Sequence, residues 1–239
     1  MLLQAYAMGV FPMADGRQAE GLGWYDPDMR GILPLEKFHV PKRLQRTVLQ
    51  RVYDVTINQD FDAVIHACAE ARRDTWINDQ IIDLYVQTHH LGYAHSIEAR
   101  DKLGQLVGGV YGLSIGGAFF GESMFSTARD ASKVALVHLA ARCWQQGLTL
   151  LDAQFVNPHL LQFGCIEIPR AVYHQKLQAA LALPVSFTGD DYSPDASGAG
   201  VSAEDSVAAS GFAAGSLSAE KSCGFAAVAD FLQSITHTS

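Results

Sequence analysis

The pattern of hydrophobic and polar positions between residues 53 and 182 predicts a mixture of short strands and helices. Residues 53–58 alternate between the two classes, as a half-buried strand does, and the residues after them repeat apolar positions at helical spacing. Three later runs are joined by turns that contain glycine, which predicts an antiparallel meander. The predicted strands lie at 53–58, 95–98, 106–114, 118–125 and 148–155, and the predicted helices at 61–72, 78–90, 131–146 and 169–182.

Three residues mark helix ends in this pattern. Asn78 precedes a helical run and is a predicted N-cap, because its side chain can accept a hydrogen bond from the first turn. Gly147 follows the 131–146 run and predicts the C-terminal end of that helix. Pro169 suits the start of the last helix, where its fixed backbone angle costs nothing.

The resulting order is strand, two helices, three strands, helix, strand, helix. This order matches the acyltransferase fold of the GNAT type, in which a mixed, mostly antiparallel sheet is flanked by helices and splayed at its middle, where substrate binds. We therefore predict the α+β class, with a GNAT-like catalytic domain over residues 52–187. An order of elements is a weak basis for a function.

The two ends of the chain differ from this central part. Residues 1–51 are rich in turn signals and proline, which predicts a small loop-rich N-terminal module that ends in a basic helix at 41–51. Residues 188–239 are dominated by Ala, Gly and Ser and are acidic, so we predict a mostly disordered tail. Only residues 225–235 are apolar enough to dock on the body.

Composition narrows the class of protein. The 239 residues are 49% hydrophobic and 18% charged, which suits a globular core and excludes a fibrous or wholly disordered chain. No run approaches the roughly 20 apolar residues of a membrane-spanning helix, and the N-terminus is a poor signal peptide. The four cysteines lack CxxC spacing, which argues against a disulfide framework or a zinc site and suits a reducing cytoplasm.

The net charge of −8 is unevenly distributed along the chain. Residues 188–239 contain seven acidic residues and one basic residue, so the remainder is nearly neutral. Near the N-terminus the basic residues Lys37, Lys42, Arg43, Arg46 and Arg51 fall in one short stretch. Because salt screens exposed charges over about 10 Å, distant acidic residues have little effect on such a basic surface, and it can bind phosphate even on an acidic protein. A solvated helix face explains the same residues equally well.

The predicted strand at 148–155 carries two polar residues in an apolar run. With a period of two, Asp152 and Gln154 project from one face and Leu151, Ala153 and Phe155 from the other. Buried polar groups need partners, because an unpaired one costs roughly 1–3 kcal/mol. The pair therefore either bonds neighbouring loops or lies at the base of a cleft, where it would orient an amine nucleophile and stabilise developing charge.

Other candidates are individually weaker. Glu122 emerges beside two aromatic residues and could pair a substrate cation or form a structural salt bridge. Trp76 could stack on a base or pack in the core, and Tyr85, inside a predicted helix, is more typical of a core. No HExxH, GxSxG or Cys–His arrangement indicates a metal centre or a covalent nucleophile, and the entry to the 131–146 helix lacks the Gly-rich turn of acetyl-CoA enzymes.

Taken together, segments spread from about residue 3 to residue 185 resemble the bacterial leucyl/phenylalanyl-tRNA–protein transferases. The most specific are Gly-Glu-Ser-Met-Phe-Ser at 121–126 and Asp-Ala-Gln at 152–154. The others are Ala5-Tyr6, Gly-Val-Phe-Pro at 9–12, Asp-Pro-Asp-Met-Arg at 26–30, Thr-Trp-Ile at 75–77, 91–98, 106–112, Ala-Ser-Lys at 131–133, Asn-Pro-His at 157–159 and Glu-Ile-Pro-Arg at 167–170.

The resemblance implies a cytoplasmic enzyme that takes Leu, Phe or Met from its aminoacyl-tRNA. It adds that residue to proteins that begin with Arg or Lys, which marks them for degradation through the N-degron pathway. The α-amine of the acceptor attacks the aminoacyl ester and the 3′-oxygen of the tRNA leaves. Positioning can supply most of the catalysis, and no metal or nucleotide cofactor is implied.

The resemblance also implies roles for individual residues. Asp152 and Gln154 are the catalytic candidates, with Asp152 orienting or polarising Gln154 and Gln154 contacting the amine. Proton transfer to Asp152 or to the 2′-hydroxyl of the tRNA stays open. The remaining candidates bind substrates. Glu122 would make the acceptor site polar, Trp76 would contact the 3′-terminal adenosine of the tRNA, and Val110 and Phe119 would line an apolar pocket for the donor side chain. Tyr85 and Asn157 are further substrate-binding candidates, and Lys42, Arg43 and Arg46 are candidates for tRNA binding.

Three other functions are consistent with parts of this pattern. One is a different tRNA-dependent aminoacyltransferase, of the kind that builds peptidoglycan bridges. Another is a tRNA-binding protein without catalytic activity, and the third is a metabolite N-acetyltransferase, the default function of the fold.

Overall fold

The computed structural model describes residues 1–189 and 224–236. Its helices are α1 (Leu2–Ala7), α2 (Lys42–Leu49), α3 (Phe61–Glu70), α4 (Asp79–His90), α5 (Ala131–Gln145), α6 (Pro158–Leu161), α7 (Arg170–Leu181) and α8 (Phe225–Thr236), with a 3-10 turn at Leu35–Lys37. Its strands are β1 (Phe11–Met13), β2 (Gly23–Tyr25), β3 (Met29–Ile32), β4 (Asp54–Ile57), β5 (Ala94–Arg100), β6 (Leu106–Ile115), β7 (Ala118–Ser126), β8 (Leu150–Gln154) and β9 (Ile166–Pro169).

Seven of these strands form one mixed sheet in the order β4-β5-β6-β7-β8-β3-β9, and β1 and β2 form a separate hairpin. All neighbours in the large sheet run antiparallel except β7 and β8, which run parallel and are connected through α5. The prediction of an α+β protein with a mixed, mostly antiparallel sheet is therefore confirmed.

The parallel pair β7/β8 is short, and its shortness leaves an opening in the sheet. The two strands are in register over only three pairs, Ala118–Phe120 against Leu150–Asp152. Beyond those pairs, β7 continues for six residues to Ser126 while β8 ends at Gln154. The sheet consequently opens between the two strands, just after Phe120 and Asp152.

Hydrophobic cores cover both faces of the sheet. On one face, buried side chains of α2, α5 and α8 pack with Val110, Phe119 and Leu151. On the other face, side chains of α1, α3, α4 and α7 pack with Tyr111 and Phe120. Close packing explains the glycine at 108, where a Cβ would lie 2.6 Å from the Ala131 Cβ at the start of α5.

The nine elements predicted between residues 53 and 182 are all present, with bounds that differ by a few residues. The side chain of Asn78 accepts a hydrogen bond from the Ile81 N–H, which confirms the predicted cap. Gly147 follows α5 with a φ of 73°, the left-handed conformation expected after a helix end.

The region predicted as a loop-rich N-terminal module contains more regular structure than its turn signals indicated. Besides the basic helix α2, it contributes α1, the β1/β2 hairpin and β3. Strand β3 lies between β8 and β9 in the large sheet, so residues 1–51 are not separate from the sheet of the predicted catalytic domain. Strands as short as β3 and β9, of four residues each, leave too little alternation for a pattern to predict them.

The predicted tail is described only in its last part. Residues 225–236 form α8, whose Phe231 ring lies 5.7 Å from the ring of Phe38 and 5.9 Å from that of Trp144. This helix thereby covers the outer side of α5, as the apolar pattern of 225–235 suggested. The prediction of disorder for the rest of the tail lies outside the described residues.

Two further features bear on the composition arguments. Within residues 1–189 and 224–236, no helix combines the length and apolar character needed to cross a membrane. Cys68, Cys143 and Cys165 are buried and are not joined in a disulfide with one another, and Cys223 lies outside the described residues.

Candidate active site

A cavity of about 290 Å³ occupies the opening between β7 and β8. One part of its wall is apolar and the other carries polar side chains. The apolar part comprises Leu33, Val110, Met124, Leu136, Leu139, Leu151, Ala153 and Leu160. The other part comprises Phe11, Pro12, Met13, Arg72, Trp76, Gly121, Glu122, Ser123, Asp152, Gln154, Phe155 and Asn157.

Asp152 belongs to this wall, but its carboxylate is fully buried and saturated with hydrogen bonds. Oδ2 accepts from Arg30 Nη2 at 2.6 Å and from the Tyr173 hydroxyl at 2.7 Å. Oδ1 accepts from Arg30 Nε at 3.0 Å and from the Gln154 backbone N–H at 2.8 Å. The carboxylate is thus fixed by these hydrogen bonds and has no accessible surface that a substrate could contact.

Arg30 is the partner that permits a carboxylate at this position. Its guanidinium is 1% exposed and lies between the rings of Phe11 and Tyr173, 4.4 and 4.5 Å from their centroids. It also donates through Nη1 to the Gly9 carbonyl. Burial is the largest influence and lowers the pKa of Arg30, but the charge and hydrogen bond of Asp152, together with Tyr173 and Tyr6, raise it by more, so the net pKa of Arg30 is raised and its guanidinium stays charged.

Gln154 is fixed through its backbone. Its φ of 55° lies in the left-handed region, which a residue with a side chain adopts only when its surroundings hold it there. The hydrogen bond from its N–H to Asp152 Oδ1 supplies that hold. The strand ends at Gln154 because of this turn. The predicted alternation of side chains between the two faces of the sheet therefore does not extend to Phe155, whose ring centroid lies 5.7 Å from that of Phe11.

Glu122 faces Gln154 across the opening. Its Oε1 accepts a hydrogen bond from the Tyr6 hydroxyl at 2.6 Å and a longer one, of 3.4 Å, from Gln154 Nε2. The Tyr85 hydroxyl lies in contact with that of Tyr6. Burial raises the pKa of the Glu122 carboxyl to about 7, although the hydrogen bonds of both tyrosines lower it. Burial also raises the pKa of Tyr6 and Tyr85, so both remain protonated donors.

The structure brings some predicted substrate-binding residues to the cavity and not others. Val110 and the partly buried Trp76 line it. Phe119 does not: its ring packs 4.8 Å from Phe187 in the core beneath. Tyr85 is also buried away from the wall and acts through Tyr6. Asn157 lies at the rim, where its side chain caps α6 by accepting from the Leu160 N–H.

The predicted tRNA-binding residues lie together on α2. Lys42, Arg43 and Arg46 are exposed, and α2 packs on α5, the helix that contributes Leu136 and Leu139 to the cavity wall. Arg43 Nη2 forms an ion pair with Asp130 Oδ2 at 2.8 Å, so this arginine also contributes to packing near the start of α5.

The sequence patterns assigned no role to three residues that hold the polar groups of the site in place: Arg30, Tyr6 and Tyr173. A signal for Arg30 existed, because a charged residue inside the apolar run 29–33 must find a buried partner. The sequence also placed Asp152 in an apolar strand, but neither pattern indicated that these two residues pair with each other. Tyrosines carry no comparable signal, since buried tyrosines are common in any core.

Chemically, the arrangement places a neutral amide beside a carboxylate at the end of an apolar cavity. An apolar side chain could occupy the apolar part while its own carbonyl group lies beside Gln154 and Glu122. A cationic or protonated amine would be attracted to Glu122. The site is therefore suited to joining an amine to an acyl group that carries an apolar side chain.

Comparisons with known proteins agree with this chemistry. The family model described as leucyl/phenylalanyl-tRNA protein transferase matches residues 32–178, and the model of its N-terminal domain matches residues 1–28. Proteins named leucyl/phenylalanyl-tRNA–protein transferase from Hyphomonas neptunium and Phenylobacterium zucineum are 56% and 54% identical to this chain. These matches cover 82% and 83% of this chain, and 78% and 91% of the relatives.

Among the solved structures that matched is that of L-PGS from Bacillus licheniformis. It is 14% identical, with a TM-score of 0.37, and the match covers 65% of this chain and 50% of that one. A likeness at this level carries no argument about fold or function.

Proposed function

The chain belongs to the leucyl/phenylalanyl-tRNA protein transferase family, and we propose that it transfers leucine and phenylalanine from aminoacyl-tRNA to proteins. The observation that carries this proposal is the cavity between β7 and β8. Its apolar part suits the leucyl or phenylalanyl side chain, and the polar side chains of Gln154 and Glu122, which share a hydrogen bond in its wall, could bind the carbonyl and the amine. Burial of apolar area, worth roughly 25 cal/mol per Å², would favour such donors over charged ones.

The finer features of the substrates are part of the same proposal. We propose that methionine is also a donor, that the acceptors begin with Arg or Lys, and that transfer marks them for degradation through the N-degron pathway. The Glu122 carboxylate supports a cationic acceptor, because it is the acidic side chain that faces Gln154 in the cavity. The enzyme would act in the cytoplasm, where aminoacyl-tRNA is available.

We propose distinct roles for the two residues of the Asp-Ala-Gln segment. Gln154 contacts the reacting groups through its side-chain amide, which lines the cavity. Asp152 is a positioning residue: it holds the Gln154 backbone through the 2.8 Å hydrogen bond and is itself held by Arg30 and Tyr173. Preorganised groups of this kind lower a barrier without reorganising during the reaction.

We also propose that the sheet is of the GNAT type. The support is topological: a meander of β5, β6 and β7, then a crossover through α5 to the parallel strand β8, and an opening immediately beyond that parallel pair. The cavity lies in that opening.

The proposed function is tested with purified protein, Leu-, Phe- and Met-tRNA, and matched peptides that begin with Arg, Lys or Ala. We expect a Leu-Arg or Leu-Lys product without ATP and little transfer to the Ala peptide, measured by mass spectrometry. A lipid-linked amine as acceptor separates this function from peptidoglycan-bridge synthesis, and an acetyl-CoA titration separates it from N-acetylation. tRNA binding without turnover in every reaction would indicate a non-catalytic binding protein.

The basic surface of α2 gives a prediction about tRNA affinity. Arg46→Ala is expected to weaken tRNA binding more at low salt than at high salt, because each phosphate contact releases counterions. The slope of log affinity against log salt should become shallower by about 1. Arg46 is a cleaner choice than Arg43, whose ion pair with Asp130 would also be lost.

A matched control for Arg46→Ala is Lys176→Ala, which removes an exposed cation from α7 on the opposite face of the sheet. Filter binding at several salt concentrations measures both variants. An equal loss for the two variants, or a loss independent of salt, would show that α2 does not contact the tRNA backbone.

A further inference from the structure

Given the proposed function, on which this inference rests, the acceptor must lose a proton before its α-amine can attack. At neutral pH much of a peptide amine is protonated, since its pKa lies at about 7.7–8.0. The proton therefore needs an acceptor within reach of the cavity. Two carboxylates stand close together there, Asp152 and Glu122.

Asp152 is badly placed to take that proton. Its carboxylate has no exposed surface, and each oxygen already accepts at least two hydrogen bonds. Protonation would also leave the Arg30 guanidinium, 1% exposed, without its counter-ion in the core. The geometry thus removes Asp152 from direct contact with an amine.

We propose that Glu122 is the group that accepts the proton of the acceptor ammonium. Its side chain lines the cavity opposite Gln154, to which it is joined by a hydrogen bond to Oε1. The Tyr6 hydroxyl donates a hydrogen bond to the same oxygen and shares another hydrogen bond with the Tyr85 hydroxyl. An amine that approaches the hydrogen-bonded Gln154 amide and Glu122 carboxylate from the cavity would lie beside both the ester carbonyl and a base.

The proton and bond changes balance within these groups. The ammonium gives one proton to the Glu122 carboxylate and becomes a neutral amine. The amine lone pair forms the new C–N bond, the C–O3′ bond breaks, and the leaving 3′-oxygen takes the proton from Glu122. The nitrogen of the new amide then releases its second proton to Glu122, and from there that proton passes to water.

The electrostatic surroundings of Glu122 support this role. Its carboxyl pKa is raised by burial to about 7, close to the pKa of the amine that it would deprotonate. Titratable and charged groups face it from five elements: Tyr6 of α1, Tyr85 of α4, Tyr111 of β6, Asp152 of β8 and Arg30 of β3. Since burial raises the pKa of the three tyrosines, they remain neutral while Glu122 titrates.

The test compares wild type with Glu122→Gln in single-turnover transfer of leucine to an Arg peptide between pH 6 and 9. At pH 6.5 we expect the variant to be slower by roughly 100-fold, a typical loss for a proton acceptor. The ratio of wild-type to variant rate should shrink at least about tenfold toward pH 9, because an amine that is already neutral no longer needs the first of these proton transfers. A ratio that is constant across this range would overturn the proposal and leave Glu122 as a binding group.

A second variant keeps the carboxylate and alters only its environment. Tyr6→Phe removes a hydrogen bond that favours the ionised form of Glu122, so the carboxyl pKa should rise and the acid limb of the kcat/KM profile should move to higher pH. An unmoved limb would overturn the proposal even if Glu122→Gln does not fold. Absence of transfer by the wild type at every pH would instead reject the proposed function.

Discussion

Arg30→Met is expected to lower the free energy of unfolding by about 3–5 kcal/mol and to abolish transfer. Asp152 would be left as an unpaired charge in the core. Removing one partner of a buried ion pair destabilises a protein by more than the intact pair stabilises it. The same carboxylate accepts the hydrogen bond that the Gln154 N–H donates, so loss of the pair should disorder Gln154 as well. Guanidinium denaturation and the leucine transfer assay measure the two effects.

Two control variants test whether the effect of Arg30→Met comes from the buried ion pair. Arg170→Met removes an exposed arginine that pairs with Asp28, and should cost less than about 1 kcal/mol. Arg30→Met combined with Asp152→Leu removes both buried charges and should regain stability without regaining transfer. If Arg30→Met destabilises the protein no more than Arg170→Met does, the buried pair is not what organises the site.

Val110→Phe is expected to reduce phenylalanine transfer by roughly 100-fold and leucine transfer by about 10-fold. Val110 is 3% exposed and lines the apolar part of the cavity, so a ring at this position would occupy space that the donor side chain needs. Steric differences of this kind in an apolar pocket discriminate between substrates by about 10- to 200-fold. Competition between Phe-tRNA and Leu-tRNA in one reaction measures the change directly.

Phe119→Leu is the matched control for the pocket, because the sequence offered both residues as its lining and the structure separates them. Phe119 packs on Phe187 in the core and does not line the cavity. Its replacement should lower stability while the Phe/Leu ratio stays unchanged. A shift of the ratio in Phe119→Leu, or none in Val110→Phe, would mean that the donor side chain binds elsewhere.

Much of the central fold could be predicted from the sequence, because its elements are long or strongly periodic. Helix α5 and the strands β5, β6 and β7 lie close to their predicted bounds. Predictions failed where elements were short, as for β3 and β9, and where a backbone turn interrupted a period, as at Gln154. In these places only a few residues carry the pattern, and neighbouring strands decide the conformation.

The candidate site divides in the same way. Asp152, Gln154 and Glu122 could be chosen from the sequence, since polar residues in apolar strands need partners. Which partners they have could not: Arg30 and Asp152 are separated by 122 positions, and Tyr6 and Glu122 by 116. Local periodicity contains no information about contacts over such distances.

The amino-acid sequence by itself determined the family, the central order of strands and helices, and the residue types that the reaction needs. Only the tertiary structure decided that Asp152 is sealed by Arg30 while Glu122 and Gln154 face the cavity. The physical reason is that burial and charge pairing depend on which strands become neighbours. The insertion of β3 between β8 and β9 is a property of the folded sheet as a whole.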